Sequence, residues 1–140
     1  MIDNINNDNI NNDIFINKGV RSMAFKENGR KNFVKLTTAV YILRILEENA
    51  SHGHCISEQI KERTGQVICP NTNSLYPTLH LLEERGYIMG TWDSPTMRCK
   101  RVYKITDAGR EYLPELEERL RCRIEEIEQN IKIIKADLLK

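Results

Sequence analysis

Residues 74–88 read SLYPTLHLLEERGYI. Leu75, Leu79 and Leu82 recur three or four residues apart, the spacing that places side chains on one face of an α-helix. Gly86 follows this run, and glycine commonly ends a helix because it adopts left-handed backbone angles without steric cost. The stretch therefore predicts a helix with one apolar face that ends at Gly86.

Further signals lie at both ends of this predicted helix. Asn73 or Ser74 is predicted as the N-cap, which places Pro77 in the first turn, where a missing N–H costs little. Beyond the helix, Tyr87–Trp92 is predicted as a strand and Arg101–Ile105 as the strand that returns. We therefore expect a β-hairpin after the helix.

Two more helices are predicted upstream. The first runs about three turns from Leu36, where apolar residues recur at the helical period. The second covers about His54–Arg63 and is followed by Gly65, the residue type expected at a left-handed C-cap. Residues 1–17 hold seven Asn and no sustained period, so a disordered tail is predicted. Residues 18–32 fit either a short helix or a basic arm.

A long helix is predicted after Thr106, a typical N-cap residue. Pro114 is expected to kink this helix or to restart it. The apolar residues form a heptad seam with one stutter, which is more than a chain of 140 residues can cover by itself. A second copy is expected to cover the seam. The predicted dimer-interface residues are Leu116, Leu120, Ile124, Ile127, Ile131, Ile134 and Leu138.

The order of predicted elements is three helices, a hairpin and a long helix. This order indicates a mainly α fold with a small β-hairpin, namely a winged helix-turn-helix domain followed by a long C-terminal dimerisation helix. In a winged helix the third helix enters the major groove and the hairpin lies along the flanking backbone. We divide the chain into an N-terminal extension (1–32), the winged-helix domain (33–106) and the dimerisation helix (107–140).

Four strings resemble the PadR family of bacterial transcriptional regulators. They are SHGH at 51–54, ERTG at 62–65, the stretch at 74–88 and RVYKITDAGR at 101–110. The resemblance extends over about residues 35–135. It implies a homodimeric winged-helix repressor whose C-terminal helices form the dimer.

The near-neutral total charge conceals two basic segments. The chain carries 21 Lys and Arg against 20 Asp and Glu. Residues 18–35 hold six bases and one acid, and residues 98–104 hold four bases and no acid. Basic segments of this kind are typical of surfaces that bind a polyanion such as a nucleic acid, although each also fits an ordinary solvated surface. Because the second falls on the predicted hairpin, double-stranded DNA is the expected partner.

DNA contacts are predicted on the third helix and the hairpin. Ser74 and Tyr76 lie near the N-terminal end of the helix, from which side chains reach base edges or phosphates. In the alternative interpretation Ser74 only caps the helix and Tyr76 packs against the hairpin. Thr78 is predicted to contact a base or a thymine methyl group. His80 is also predicted to contact DNA, although it equally fits an ordinary surface residue. The remaining predicted contacts are Lys35 on the first helix and the basic hairpin residues Arg98, Lys100 and Arg101.

Enzymatic and metal chemistry find little support in the sequence. It contains no Gly-rich phosphate loop and no nucleophile in a motif context. His52, His54 and Cys55 lie close together, but no further ligand follows at metal-binding spacing, so a structural role is favoured. We expect no catalytic residue, metal or cofactor, and an effector is left open. Cys122 is interpreted as an ordinary thiol rather than a redox switch.

No apolar run approaches the ~20 residues of a membrane span, and the start shows no signal peptide. We therefore predict a cytoplasmic, sequence-specific DNA-binding regulator, a repressor that acts as a homodimer on an inverted repeat. Two alternatives remain open at this point. One is a replication-terminator-like DNA-binding protein, and the other is a protein-interaction module that has lost DNA binding.

Overall fold

The computed structural model describes residues 29–92 and 101–139, with side chains from Asn32 onward. The prediction for residues 1–17, and the part of the prediction for 18–32 that precedes residue 29, lie outside the described residues. The elements in chain order are α1 (Gly29–Glu48), β1 (Ser51–His52), α2 (Gly53–Arg63), α3 (Thr72–Glu84), β2 (Ile88–Trp92), β3 (Arg101–Ile105) and α4 (Asp107–Leu138). The predicted fold class, mainly helical with a small β component, is confirmed.

Helix α1 forms the centre of the core and packs against the three other helices and β3. It begins at Gly29, about two turns before the predicted start at Leu36. The sequence did not predict this start, because apolar and basic residues alternate irregularly before Leu36 and show no helical period. Thr37 and Thr38 are buried, and each hydroxyl donates a 2.7 Å hydrogen bond to the carbonyl four residues earlier. Their burial therefore leaves no hydroxyl unsatisfied.

Aliphatic side chains from all four helices and from β2 fill the interior. Each such side chain, when fully buried, stabilises the fold by about 1.5–3 kcal/mol. The predicted inward stripe of α3 is confirmed. The largest fully buried side chains are Ile42, Leu43, Ile45, Ile56, Ile60, Leu75, Leu79, Leu82, Ile88 and Leu116.

A connection of eight residues, 64–71, joins α2 to α3 and begins with a turn. Gly65 has φ +58°, which confirms the predicted left-handed C-cap, and Gln66 follows with φ +67°. The Thr64 hydroxyl donates to the Ile60 carbonyl at 2.8 Å and accepts from the Ile68 amide at 3.1 Å. The ERTG string therefore ends α2 and redirects the chain toward α3.

The sheet has three strands, one more than the predicted hairpin. In the antiparallel β2–β3 pair, Ile88 lies opposite Ile105 and Trp92 lies opposite Arg101. The two-residue strand β1 pairs with the other edge of β3, which gives the order β1-β3-β2. A strand this short produces no periodic pattern, so the sequence indicated only a break between two helices.

Helix α4 runs unbroken over 32 residues, about 48 Å. The predicted cap is confirmed, because the Thr106 hydroxyl accepts from the Gly109 amide at 3.1 Å. Pro114 lies inside the helix, so the predicted restart does not occur. A proline inside a helix removes the hydrogen bond to the carbonyl four residues earlier, and its ring crowds that carbonyl. That residue is Arg110, which lies on the exposed side of the helix.

Candidate DNA-binding surface

A reciprocal capping box begins α3. The Ser74 amide donates to Asn71 Oδ1 at 3.0 Å, and the Asn71 amide donates to Ser74 Oγ at 3.1 Å. The predicted N-cap at Asn73 or Ser74 is therefore wrong, because Asn71 occupies that position. Pro77 is consequently the sixth helical residue and lies beyond the first turn. The Ser74 side chain caps the helix and still lies on the surface.

The face of α3 opposite the leucine stripe is polar and exposed. It offers hydroxyl, amide, imidazole and phenol groups, which donate and accept hydrogen bonds with base edges. An α-helix of ordinary width fits the major groove of B-DNA. The exposed residues of this face are Thr72, Asn73, Ser74, Tyr76, Pro77 and His80.

Thr78 does not belong to the exposed face. It is only 3% exposed, and its hydroxyl donates to the Ser74 carbonyl at 3.1 Å. The predicted contact of Thr78 with a base is therefore wrong. Its position three residues after Leu75 and four before Leu82 places it on the buried face of the helix.

Tyr76 both packs against the protein and reaches the surface. Its side chain lies over the start of α2, where a Cβ on Gly53 would meet Tyr76 Oη at 2.8 Å. The residue is nevertheless 43% exposed. Packing and DNA contact are therefore compatible for Tyr76, and the DNA contact stays a prediction.

A cleft of about 460 Å³ lies between the start of α2, Tyr76 and the sheet. Burial raises the pKa of the Tyr103 phenol on its wall, and this effect outweighs the opposing influence of the Arg101 charge. Tyr103 therefore remains a neutral hydroxyl at physiological pH. The cleft is lined by His52, Gly53, His54, Cys55, Tyr76, Trp92, Arg101 and Tyr103.

Arg101 is held by other protein groups. Its Nη2 donates to Glu83 Oε2 and to the Gly90 carbonyl, both at 2.7 Å. The guanidinium carbon also lies 5.3 Å from the ring centroid of Trp92 and 5.8 Å from that of Tyr103. Glu83 therefore compensates the charge of Arg101, whose side chain is still 33% exposed, and the phosphate contact of Arg101 stays a prediction.

The remaining predicted contacts differ in their surroundings. His80 is exposed, and its Nε2 lies 3.6 Å from Glu84 Oε2, an ion pair only when the imidazole is protonated. Lys35 lies partly buried on α1. Arg98 and Lys100 lie outside the described residues. Contacts of His80, Lys35, Arg98 and Lys100 with DNA stay predictions.

Two residues that the sequence did not single out shape this surface. Gly90 allows the Arg101 guanidinium to cross β2, since a Cβ there would lie 2.7 Å from Arg101 Nη2. A glycine inside a strand is a known sign of such close approach. Glu83 carried no comparable signal, because acidic residues are common on helix surfaces.

The apolar seam of α4 divides into a covered and an uncovered part. Leu116 is fully buried in the core of the protomer, so its predicted place in a dimer interface is wrong. Leu120 packs against the same core and is partly buried. Further along the same face the exposed fraction is 38% at Ile124, 54% at Ile131 and 71% at Leu138, while Ile127 is partly buried. The uncovered seam comprises Ile124, Ile127, Ile131, Ile134 and Leu138.

A groove of about 620 Å³ between α1 and α4 borders the uncovered seam. The Arg44–Glu117 ion pair, 3.2 Å long, joins the two helices beside it. Apolar surface therefore continues from α1 onto the exposed part of α4. The apolar lining residues include Phe33, Val40, Tyr41, Leu120 and Ile124.

Within the described residues, no group of three or more His, Cys, Asp or Glu side chains is arranged to hold a metal ion. No helix in the same part of the chain is both long and apolar enough to cross a membrane. Cys122 is an exposed free thiol. Its hydrogen bond to Glu118 is the main cause that raises the pKa of the thiol, which lowers the fraction of reactive thiolate.

The arrangement of α2, the turn and α3, flanked by a small antiparallel sheet, defines a winged helix-turn-helix protein. Residues 42–115 match the PadR-like family of transcriptional regulators, and the chain belongs to this family. It is a family of DNA-binding regulators and not of enzymes.

Similar proteins agree with this assignment. The chain is 35% identical over 85 residues to the transcriptional regulator Rv3488 of Mycobacterium tuberculosis, covering 61% of this chain and 77% of that protein. A transcriptional regulator from Clostridium thermocellum has 29% identity and a TM-score of 0.55, with 76% and 97% of the two chains covered. A Thermoplasma acidophilum protein has 26% identity and a TM-score of 0.63, with 74% and 97% covered.

Proposed function

We propose that this protein is a transcriptional repressor that binds an inverted-repeat operator as a homodimer. The observation that carries the proposal is the uncovered seam of α4, which lies on the same face as the buried Leu116. The proposal that the protein represses rather than activates transcription rests on the resemblance to the PadR family. The proposed place of action is the cytoplasm, together with the DNA.

A second copy is the occupant that best fits the uncovered seam. The seam from Ile124 to Leu138 is about 21 Å long, and five aliphatic side chains share it. A symmetric dimer uses the same patch on both copies, so a self-complementary apolar helix suits such an interface. Two-fold symmetry would present the two α3 helices to half-sites of opposite orientation.

The DNA interface is proposed to combine base contacts from α3 with phosphate contacts from the hairpin. Ser74, Tyr76 and His80 lie on the exposed face of α3. Arg98 and Lys100 belong to the basic segment between β2 and β3, and phosphate contact requires only charge and reach. The three-part division of the chain at residues 32 and 106 belongs to the same proposal, and its first boundary falls inside the first turn of α1, which begins at Gly29.

Salt-dependent titration of two variants tests this division of roles. Lys100→Ala should weaken binding to an operator and to a scrambled duplex alike, because phosphates carry no sequence information. The slope of log affinity against log salt should fall by about 1.8, twice the roughly 0.9 per lost contact, because a dimer loses two. Tyr76→Ala should instead cost about 1–3 kcal/mol on the operator and leave the slope unchanged.

Lys135→Ala is the matched control, because it removes a lysine from the exposed end of α4, far along the chain from the hairpin. Its salt slope should equal that of the wild type. An unchanged slope for Lys100→Ala would show that the hairpin does not meet the backbone. Unchanged operator preference in Tyr76→Ala would remove this tyrosine from the base contacts.

A further inference from the structure

We infer that Glu83 and Arg101 are positioning residues that fix the hairpin relative to α3, so that Arg101 supports DNA binding without touching a phosphate. The inference rests on the proposed function, in which α3 and the hairpin contact the same duplex. Arg101 lies in the basic segment 98–104, and on charge alone it would be interpreted as a phosphate contact. The inference gives it a structural role instead.

One carboxylate joins α3 to both strands of the hairpin. Glu83 lies in the last turn of α3. Its Oε2 accepts from Arg101 Nη2, at the start of β3, at 2.7 Å and from the Gly90 amide, inside β2, at 3.3 Å. Arg101 Nη2 also donates to the Gly90 carbonyl at 2.7 Å. In the sequence, Arg98 and Lys100 lie between the end of β2 at Trp92 and the start of β3 at Arg101.

The environment of the pair makes it stronger than a fully exposed surface ion pair. The side chains of Arg101 and Glu83 are 33% and 27% exposed, so water and salt screen the pair only in part. Charge-assisted hydrogen bonds of this kind are shorter and stronger than neutral ones. The rings of Trp92 and Tyr103 flank the guanidinium and restrict its other positions.

Prior fixation of the hairpin lowers the cost of binding. A hairpin that is free to move must become ordered when its basic side chains contact the DNA phosphates. The entropy lost in this ordering reduces the affinity for DNA. A hairpin already held against α3 avoids that loss. The geometry therefore predicts that Glu83 strengthens DNA binding although its own charge repels DNA.

The sign of the Glu83 effect separates positioning from simple electrostatics. Glu83→Ala and Glu84→Ala each remove one negative charge from the same end of α3. Glu84 is exposed, and its carboxylate lies 3.6 Å from an imidazole on its own helix, so it serves as the matched control for a carboxylate bonded to the hairpin. Electrostatics alone predicts that both substitutions strengthen DNA binding slightly. Positioning predicts weaker operator binding for Glu83→Ala and no weakening for Glu84→Ala.

The experiment measures operator affinity and its salt dependence at a temperature where circular dichroism shows every variant folded. Glu83→Ala, Arg101→Ala and the double variant should each bind roughly tenfold more weakly, a loss of about 1.4 kcal/mol that is not additive. The salt slope should equal that of the wild type in all three. A direct phosphate contact of Arg101 would instead lower the slope by about 1.8 for the dimer.

Gly90→Ala provides an independent variant that alters no charge. Its Cβ would displace the flexible end of Arg101, whose Nη2 lies 2.7 Å from that position, and not a backbone atom. The substitution should therefore leave the fold intact and weaken operator binding as Glu83→Ala does.

Operator binding by Glu83→Ala that is as tight as that of the wild type would overturn the inference. So would a salt slope lowered by about 1.8 in Arg101→Ala. A wild-type protein that shows no preference for any duplex would overturn the proposed function itself, and the inference with it. The wild-type titration thus separates the two failures.

Discussion

Ile131→Glu combined with Ile134→Glu is expected to convert the proposed dimer into a monomer and to weaken operator binding at least about a hundredfold, or about 2.7 kcal/mol. Both isoleucines lie on the uncovered seam and are about half exposed in the protomer. The substitutions would place four carboxylates in a two-fold apolar interface, where burying unpaired charge is costly. A monomer binds one half-site and loses the gain from linked binding.

Ile133→Glu is the matched control on the same helix. Ile133 is also exposed, but its position two residues from Ile131 places it on the opposite face of α4. It should sediment as a dimer at micromolar concentration and bind the operator like the wild type. If the double variant sediments with the wild type, the seam is not the dimer interface.

Gly109→Ala is expected to destabilise the fold by about 3 kcal/mol or more, which lowers the Tm by about 10 °C. A Cβ at this position would lie 2.2 Å from the Tyr87 carbonyl oxygen. That oxygen belongs to the backbone and accepts from the Thr106 amide at 3.0 Å, so it cannot move without breaking the junction. The Thr106 hydroxyl ties the same junction to the Gly86 carbonyl at 2.6 Å.

Gly65→Ala separates this steric effect from backbone strain. Gly65 has φ +58°, and a Cβ added to it would meet no atom within 4 Å, so only its left-handed conformation resists substitution. The cost should be about 1–2 kcal/mol. Thermal unfolding followed by circular dichroism compares the two variants. Equal losses of stability would show that the contact at Gly109 is not the cause.

Local signals predicted the regular parts of the fold. The leucine spacing located the buried face of α3, and Gly65, Gly86 and Thr106 marked helix ends that the structure confirms. Each of these features depends on a few neighbouring residues. The start of α1 and the strand β1 depend on packing against elements distant in the sequence. The local spacing of apolar residues does not reveal such packing.

The candidate site was predictable only in part for the same reason. The exposure of Ser74, Tyr76 and His80 follows from their positions opposite the leucine stripe. The spacing of Thr78 from two buried leucines already indicated its burial. The Arg101–Glu83 pair joins residues 18 positions apart, and no sequence pattern connects them.

Selection of duplexes from a random pool by the purified full-length chain tests the central claim most directly. The stoichiometry of the complex with the selected duplex is then measured by sedimentation. We expect an inverted repeat whose half-sites lie about one helical turn, or a multiple of it, apart. Two protomers should occupy each duplex. Selection of a single asymmetric site occupied by one protomer, or no enrichment of any sequence, would contradict a dimeric, sequence-specific regulator.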